Sequence, residues 1–149
     1  MPLIKWKNKY TVNNQQLDSD HKKIFDLFNK MYDECLATGT VACTCIMLDE
    51  LISFTEYHCK TEEDYMAKIG YNNLEEHIIK HNDIMQRLRK IKQDQEDNLQ
   101  TVTMALMVLI GNWIRLHIIE EDMKYNLEIQ SESDQSIDIV PQDPLTTRK

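Results

Sequence analysis

The five histidines of this chain follow a pattern that few folds can accommodate. His77 and His81 are four residues apart, and His58 stands four residues before Glu62. In a helix, residues four apart lie one turn above the other on the same face, so each pair can present two metal ligands together. A His–Glu pair at this spacing is common on solvated helices. It becomes informative here because the remaining histidines fit the same pattern.

Those remaining histidines lie on the apolar faces of two other predicted helices. His21 heads the apolar stripe of the first helix, and His117 lies near the end of the fourth, followed by Asp122. A histidine at the end of a core stripe is more often an ordinary buried residue. Two histidines on consecutive turns of an apolar stripe are harder to explain, because their ring nitrogens need partners. Five imidazoles and two carboxylates are too many ligands for one ion and suit two ions with one position left open.

The composition favours helix over sheet and a single domain. Only three glycines and three prolines occur in 149 residues. The predicted domain covers residues 1–130 and ends where the hydrophobicity falls, before a disordered polar tail at 131–149. Apolar periodicity predicts an extended arm at residues 1–17 and helices at about 19–36, 41–68, 74–92 and 98–126. Short connections between four helices predict an all-α, up-down-up-down four-helix bundle with the metal site in its core.

Several residues mark where these helices begin and end. Asp18 or Ser19 can cap the first helix, and Asn73 can cap the third in a capping-box-like pair with Glu76. Gly39 is expected to end the first helix, and Gly70 the second. Gly111 inside the fourth helix costs about 1 kcal/mol relative to alanine. A close approach of two helices would explain that glycine.

Charge and cysteine content limit the possible partners and compartments. The formal net charge of −8 argues against a nucleic-acid backbone or an anionic membrane surface as partner. The first residues lack the apolar run of a secretory signal, and no apolar run reaches membrane-spanning length. The four cysteines show no C-x-x-C spacing, so we expect reduced thiols and a cytoplasmic location. Cys43 and Cys45 could form a metal or redox pair, an alternative that the spacing does not favour.

The seven candidate ligands occur in a fixed order, each within a short motif. The motifs are Leu17-Asp18-x-x-His21, His58-x3-Glu62-Glu63, His77-x3-His81, Trp113-x3-His117 and Asp122-x-Lys124-Tyr125. With Trp6 and Tyr10 in the arm, they make residues 6–125 resemble the hemerythrin family, most closely single-domain bacterial hemerythrins (bacteriohemerythrin). Two departures concern the surroundings of the site: Cys59 stands where the family usually has an aromatic residue, and Ile114 where leucine is common.

The resemblance implies a cofactor of two iron ions, Fe2+ or Fe3+, joined by an oxo or hydroxo bridge, with dioxygen as ligand. One iron would take His77, His81 and His117. The other would take His21 and His58 and keep an open position. Glu62 and Asp122 would bridge both. Trp113 and Ile114, one turn before His117, are candidates for lining the dioxygen pocket, and plain core packing is the alternative for both.

One ligand conflicts with ideal helix geometry. His117 and Asp122 are five residues apart, which places them about 140° apart around an α-helix. Glu121, four residues from His117, is the better candidate on geometry alone. The resemblance implies Asp122, which requires either a distorted helix or a side chain that reaches in from the flank.

The function implied by the resemblance is reversible dioxygen binding for storage, delivery or sensing, and not an enzymatic activity. Two other classes stay open. One is a di-iron enzyme that acts on peroxide or nitric oxide, although no additional acid or base is evident in the motifs. The other is an oxygen- or redox-responsive regulatory module, although no attached output domain is evident in the sequence.

Overall fold

The computed structural model describes residues 2–38, 41–97 and 104–137, and these residues form helices and no strand. After a short 3-10 turn, Asn8–Tyr10, the helices are α1 (Gln15–Thr38), α2 (Val41–Ile69), α3 (Leu74–Glu96), α4 (Met104–Leu116) and α5 (Met123–Ile137). A π-helical turn, His117–Asp122, joins α4 to α5, so these three elements form one continuous fourth rod. α1 packs against α2 and α4, and α2 packs against α3. The all-α four-helix bundle predicted from the sequence is confirmed.

The N-terminal arm closes one side of the bundle. Ile4 and Tyr10 are buried, and the Trp6 ring packs edge-on against Tyr10 and Phe25 at centroid distances of 5.9 and 6.2 Å. The Ile4 N–H donates to Asn29 Oδ1 at 3.0 Å, and Asn29 Nδ2 donates back to the Ile4 carbonyl at 2.7 Å. This paired bond fastens the start of the arm to α1.

α1 begins earlier than predicted, and its cap is Asn14 instead of Asp18 or Ser19. The Asn14 side-chain oxygen accepts from the Leu17 backbone N–H at 3.1 Å, which satisfies one of the unpaired donors of the first turn. Asp18 instead accepts from the Val12 N–H at 2.9 Å. The carboxylate therefore ties the arm to the helix.

The end of α2 matches the prediction. Gly70 adopts a φ of 71°, a left-handed conformation that favours glycine. Its N–H donates to the Ala67 carbonyl at 3.2 Å, and the Tyr71 N–H donates to the Met66 carbonyl at 3.0 Å. This pair of bonds is a Schellman motif. Asn73 then precedes α3 as expected, but its side chain makes no capping hydrogen bond, so the capping box is not formed.

The other helix boundaries lie beyond the predicted ones. α3 continues to Glu96, beyond its predicted end at about residue 92 and into the polar residues that separate it from the predicted fourth helix. The fourth rod continues to Ile137, so residues 131–137 are helical instead of disordered. Residues 138–149 lie outside the described residues, as do Gly39 and the predicted start of the fourth helix at 98. Within the described part, no helix is long and apolar enough to cross a membrane.

α1 and α4 approach each other closely at Gly111. A Cβ placed on Gly111 would lie 2.7 Å from Cζ of Phe28, whose side chain is fully buried. The glycine that weakens helix propensity therefore makes room for a packed aromatic ring, as the sequence suggested.

Two apolar clusters pack above and below a polar layer. The larger contains Ile24, Phe25 and Ile114, and the smaller contains Leu17 and Tyr125. Between the two clusters, each of the four rods contributes at least one histidine, and buried carboxylates accompany these histidines.

Candidate metal centre

All seven predicted ligands meet in the polar layer between the two clusters. Six are buried, and the His117 side chain is 10% exposed. They form two groups, and within each the potential ligand atoms lie within 4.8 Å of one another. One group contains Glu62, His77, His81, His117 and Asp122, and the other contains His21, His58, Glu62 and Asp122. The two groups thus share both carboxylates, which is the arrangement a pair of bridged ions requires.

Asp122 lies between the two groups. Its Oδ2 is 3.0 Å from His21 Nε2. Its Oδ1 is 3.1 Å from His77 Nε2 and 3.0 Å from His117 Nε2. One oxygen therefore faces a histidine of one group, and the other oxygen faces two histidines of the other.

Glu62 also contacts both groups. Its Oε2 lies 3.0 Å from His81 Nε2, 3.4 Å from His77 Nε2 and 3.8 Å from His58 Nε2. Its Oε1 lies 3.6 Å from His21 Nε2. Helices α1, α2 and α3 therefore all bring an imidazole to this one carboxylate.

The directions of these atoms fit metal ligands better than hydrogen-bonding partners. Despite the short distances, many of the nitrogens and oxygens have no hydrogen bond of acceptable geometry. They are both ring nitrogens of His21, Nε2 of His77, His81 and His117, Oε2 of Glu62 and both oxygens of Asp122. Buried polar atoms without partners are rare, and each is costly. Imidazole with carboxylate is a donor set that suits iron, so the residues fit a pair of such ions.

The π-helical turn explains how Asp122 joins the site. In a π-helix each N–H bonds to the carbonyl five residues earlier, so residues five apart come to the same face. The turn runs from His117 to Asp122 and brings both into the cluster. Glu121, which an ideal α-helix would favour, lies outside, 2.6 Å from Lys80 Nζ and 3.1 Å from Lys124 Nζ. Of the two explanations open from the sequence, the helix distortion is the one observed.

Two further carboxylates contact ligand histidines at Nδ1, the ring nitrogen that does not face the cluster. The sequence analysis assigned a role to neither carboxylate. His81 Nδ1 lies 2.9 Å from Glu63 Oε1, and His58 Nδ1 lies 3.4 Å from Asp20 Oδ2. Such contacts leave Nε2 available for a metal and orient the ring. Each acid directly follows or precedes a predicted ligand in the sequence. An acid next to a predicted ligand in the sequence was the available signal, because its side chain can contact a histidine on the adjacent helix.

Tyr125 is a third residue missed as part of the site. Its hydroxyl donates to Glu62 Oε1 at 2.7 Å. Burial, together with the nearby Glu62 and Asp122 carboxylates, raises the pKa of Tyr125, so the phenol stays a donor. The bond fixes one oxygen of a carboxylate that contacts both groups.

The cluster is strongly coupled electrostatically. Burial lowers the pKa of His21, but contact with Asp122 and Glu62 outweighs it and raises the value to about 10. For His81, burial is outweighed by contact with Cys59 and Glu62, and the pKa is about 11. Burial raises the pKa of Glu62 and Asp122, yet the surrounding histidines hold both well below their usual range. Without metal, protons on the imidazoles balance the carboxylates, and metal binding would displace them.

A small cavity of about 30 Å³ lies beside the cluster and borders His58, His81 and His117. Its apolar wall consists of the four isoleucines Ile24, Ile84, Ile114 and Ile118. Thr55, Cys59 and Asp122 complete its lining. Such a volume exceeds what one water needs and suits a ligand of two or three atoms.

The structure separates the two residues predicted to line a pocket. Ile114 lines the cavity and is 4% exposed. Trp113 does not line it, and lies instead along an outer groove with the Arg87 guanidinium 5.1 Å from its ring centroid. Consecutive helical residues point about 100° apart, so only one of the two can face the cavity.

Comparison with known proteins agrees with this site. Residues 12–126 match the family model described as the hemerythrin HHE cation binding domain. The chain belongs to the hemerythrin family. The family is known for oxygen binding at di-iron sites.

Individual relatives cover nearly all of the bundle. The chain is 29% identical over 131 residues to a bacteriohemerythrin of Clostridium acetobutylicum, covering 83% of this chain and 98% of the relative. It is 32% identical over 120 residues to a hemerythrin-like protein of Naegleria gruberi, covering 80% and 88%. A crystal structure of wild-type hemerythrin superimposes with a TM-score of 0.78 at 28% identity, covering 83% of this chain and 95% of that one.

Proposed function

We propose that this protein binds dioxygen reversibly at a di-iron centre and serves oxygen storage, delivery or sensing. The observation that carries the proposal is the pair of ligand groups that share Glu62 and Asp122 beside an apolar cavity. Two ions held this close can exchange two electrons with one ligand, and the cavity offers that ligand a place. The membership in the hemerythrin family supports the same function.

The two groups would hold the two irons unequally. His77, His81 and His117 would hold one ion, and His21 and His58 the other, with both carboxylates common to the pair. When bound, the iron pair would supply the electrons that reversible dioxygen binding requires. The ion held by two histidines would keep a position for a ligand. His58, one of those two histidines, borders the cavity, as do His81 and His117 of the other group.

The residues around the ligands keep the site rigid and dry. Glu63 and Asp20 each face Nδ1 of a ligand histidine and so favour the tautomer whose Nε2 can bind metal. Tyr125 holds Glu62 in place. The isoleucines would exclude water, whose protons would promote loss of the bound dioxygen in a reduced form and leave the iron oxidised.

The balance of the ligand set favours binding over catalysis. Five neutral imidazoles and two carboxylates bring less negative charge than the mostly carboxylate sites of oxygen-activating di-iron bundles. Fewer anionic ligands stabilise high-valent iron less. We therefore propose a carrier or sensor, with no enzymatic turnover as its main activity.

The proposed location is the cytoplasm. Cys45 and Cys59 are free thiols, as a reducing compartment would maintain them. The side chain of Cys43 lies outside the described residues, so the alternative pair of Cys43 with Cys45 stays a prediction.

An absorption spectrum of the iron-loaded protein tests this function. The protein is reduced without air, freed of reductant, exposed to dioxygen and then returned to argon, with the iron-free protein as control. We expect a visible band that appears with dioxygen and disappears under argon over several cycles. A single irreversible oxidation, or steady consumption of dioxygen or peroxide with added reductant, would contradict reversible binding.

A further inference from the structure

Two residues that are not predicted metal ligands but carry a polar side-chain atom, Thr55 and Cys59, line the cavity beside the metal centre. Thr55 and Cys59 both line the cavity and stand four residues apart on α2, so they occupy one face of that helix. Four isoleucines and four of the predicted metal ligands make up the rest of the lining. A hydroxyl in such a place is unexpected, because valine would fill the same space without a buried polar atom.

The Thr55 hydroxyl has no hydrogen-bond partner in the protein. Its residue is 6% exposed, and its oxygen is buried and unpaired. A helical threonine commonly donates to the carbonyl one turn earlier. Thr61 of the same helix does so, with its hydroxyl 3.0 Å from the Tyr57 carbonyl. Thr55 does not, and a buried unpaired hydroxyl in a native structure needs an explanation.

The neighbouring Cys59 is not free to donate a hydrogen bond to a ligand in the cavity. Its thiol is engaged with His81, a contact that lowers the pKa of Cys59 against the larger effect of burial. Thr55 is therefore the donor on this face of α2 that is left without a partner.

We infer that the Thr55 hydroxyl donates a hydrogen bond to the outer atom of the small ligand held in this cavity. The ligand class is a two- or three-atom molecule or anion with an acceptor atom at its outer end, such as dioxygen or azide. This inference rests on the proposed function, since the inner end of the ligand must be held by the iron. It adds a residue that selects ligands by their ability to accept a hydrogen bond.

The test is azide binding to the oxidised, iron-loaded protein. Thr55→Val keeps the shape of the side chain and removes the hydroxyl. We expect its dissociation constant for azide to rise about fivefold to tenfold, the loss of one net hydrogen bond. Thr55→Ser, which keeps the hydroxyl, should stay close to wild type. Thr61→Val is the matched control, because it removes a hydroxyl of α2 that is bonded to the backbone.

Two further measurements do not require the variants to have the same affinity for azide. In heavy water the stretching frequency of bound azide should shift in the wild type, and the shift should be absent from Thr55→Val. In the metal-free protein, Thr55→Val should raise the urea midpoint, because it removes a buried unpaired hydroxyl, whereas Thr61→Val should not.

The outcomes separate this inference from the function it rests on. A wild-type protein that holds two irons but binds neither azide nor dioxygen would overturn both. Normal binding with an unchanged azide constant in Thr55→Val, or no isotope shift in the wild type, would overturn this inference alone. Equal weakening in Thr55→Ser and Thr55→Val would do the same, since it would point to cavity shape and not to the hydroxyl.

Discussion

At the scale of single residues, direction decides the role of a side chain more than its type does. Trp113 and Ile114 are neighbours on α4, yet only Ile114 lines the cavity, whereas Trp113 packs beneath Arg87 at the surface. Asp122 and Glu121 are likewise neighbours with different roles, one at the centre of the cluster and the other paired with Lys80. In each pair, the two adjacent residues point in different directions, so that one side chain faces the site and the other faces away from it.

Ile114→Ala should keep its iron and lose dioxygen faster by autoxidation. The change deletes buried methylenes beside the proposed ligand position and makes room for water, at a stability cost of about 2–5 kcal/mol. The measurement is iron per chain together with the rate at which the oxygenated spectrum decays. Leu109→Ala is the control, because Leu109 is 44% exposed on the same helix. An unchanged rate would show that Ile114 does not protect the cavity.

At the scale of helices, the π-helical turn is the element that completes the site. It adds to the fourth rod a turn in which residues five apart share a face, so His117 and Asp122 point to one centre. Such turns are rare and occur frequently at functional sites. Gly111 has no side chain, and α1 lies close enough there for the Phe28 ring to fill the space that a side chain would take.

Asp122→Ala should lose one or both irons, whereas Glu121→Ala should keep them. Asp122 is fully buried between both groups of histidines, and removing it leaves only Glu62 to compensate the repulsion between two cations. Glu121 forms partly exposed ion pairs with two lysines, worth no more than about 1 kcal/mol to stability. The measurement is iron per chain after identical purification. Loss of iron from Glu121→Ala alone would reverse the proposed assignment.

Gly111→Ala should destabilise the bundle, although alanine is the better helix former. The new Cβ would lie 2.7 Å from a buried Phe28 carbon, and such overpacking costs about 1–3 kcal/mol against a propensity gain of about 1 kcal/mol. Urea unfolding measures the difference. Asn112→Ala, at the exposed neighbouring position, is the control, and adding Phe28→Leu should recover part of the loss. A Gly111→Ala protein as stable as the wild type would show that the ring can move aside.

At the scale of the whole molecule, the bundle carries a charged layer between two apolar clusters. The smaller cluster of Val12, Leu17, Met66, Tyr71 and Tyr125 closes the layer on one side, and the larger cluster closes it on the other. Water is therefore largely excluded from the seven predicted ligands, and their charges must be balanced within the layer, by protons or by metal.

The metal-free protein should lose stability as the pH rises from about 6.5 toward 10. The folded pKa values of His21 and His81, about 10 and about 11, exceed the unfolded value of 6.5. Their contribution is therefore complete below pH 6.5 and lost as the pH approaches the folded values, by up to about 1.4 kcal/mol per pH unit for each histidine. Glu62 and Asp122, with lowered pKa values, contribute above their unfolded values and lose that contribution in acid.

Urea unfolding of the metal-free protein between pH 6 and pH 9 measures this dependence. The iron-loaded protein is the control, because metal-bound imidazoles are neutral throughout and its stability should vary less with pH. Stability that increases over this range in the metal-free protein would contradict the proposed proton balance.

The sequence by itself determined the helical class, the family and the identity of the residues that meet in the polar layer. The histidine and Glu62 positions depend on local spacing, because residues four apart share a helix face wherever the helix lies. Asp122 is the exception, since spacing alone favoured Glu121 and the family resemblance implied Asp122. The end of α2 at Gly70 was equally local, since it needs only one left-handed residue. Gly111 signalled a close helix contact, although not its partner.

Only the tertiary structure decided what depends on contacts between segments. Asn14 caps α1, and Asp18 instead bonds to the arm. α3 continues through polar residues that the sequence alone did not predict as helix. Asp20 and Glu63 gained their roles from histidines on other helices. The π-helical turn has no signature in an ideal helical period. Its cost must be offset by packing and by the charges gathered around Asp122, and these exist only once the four rods are assembled.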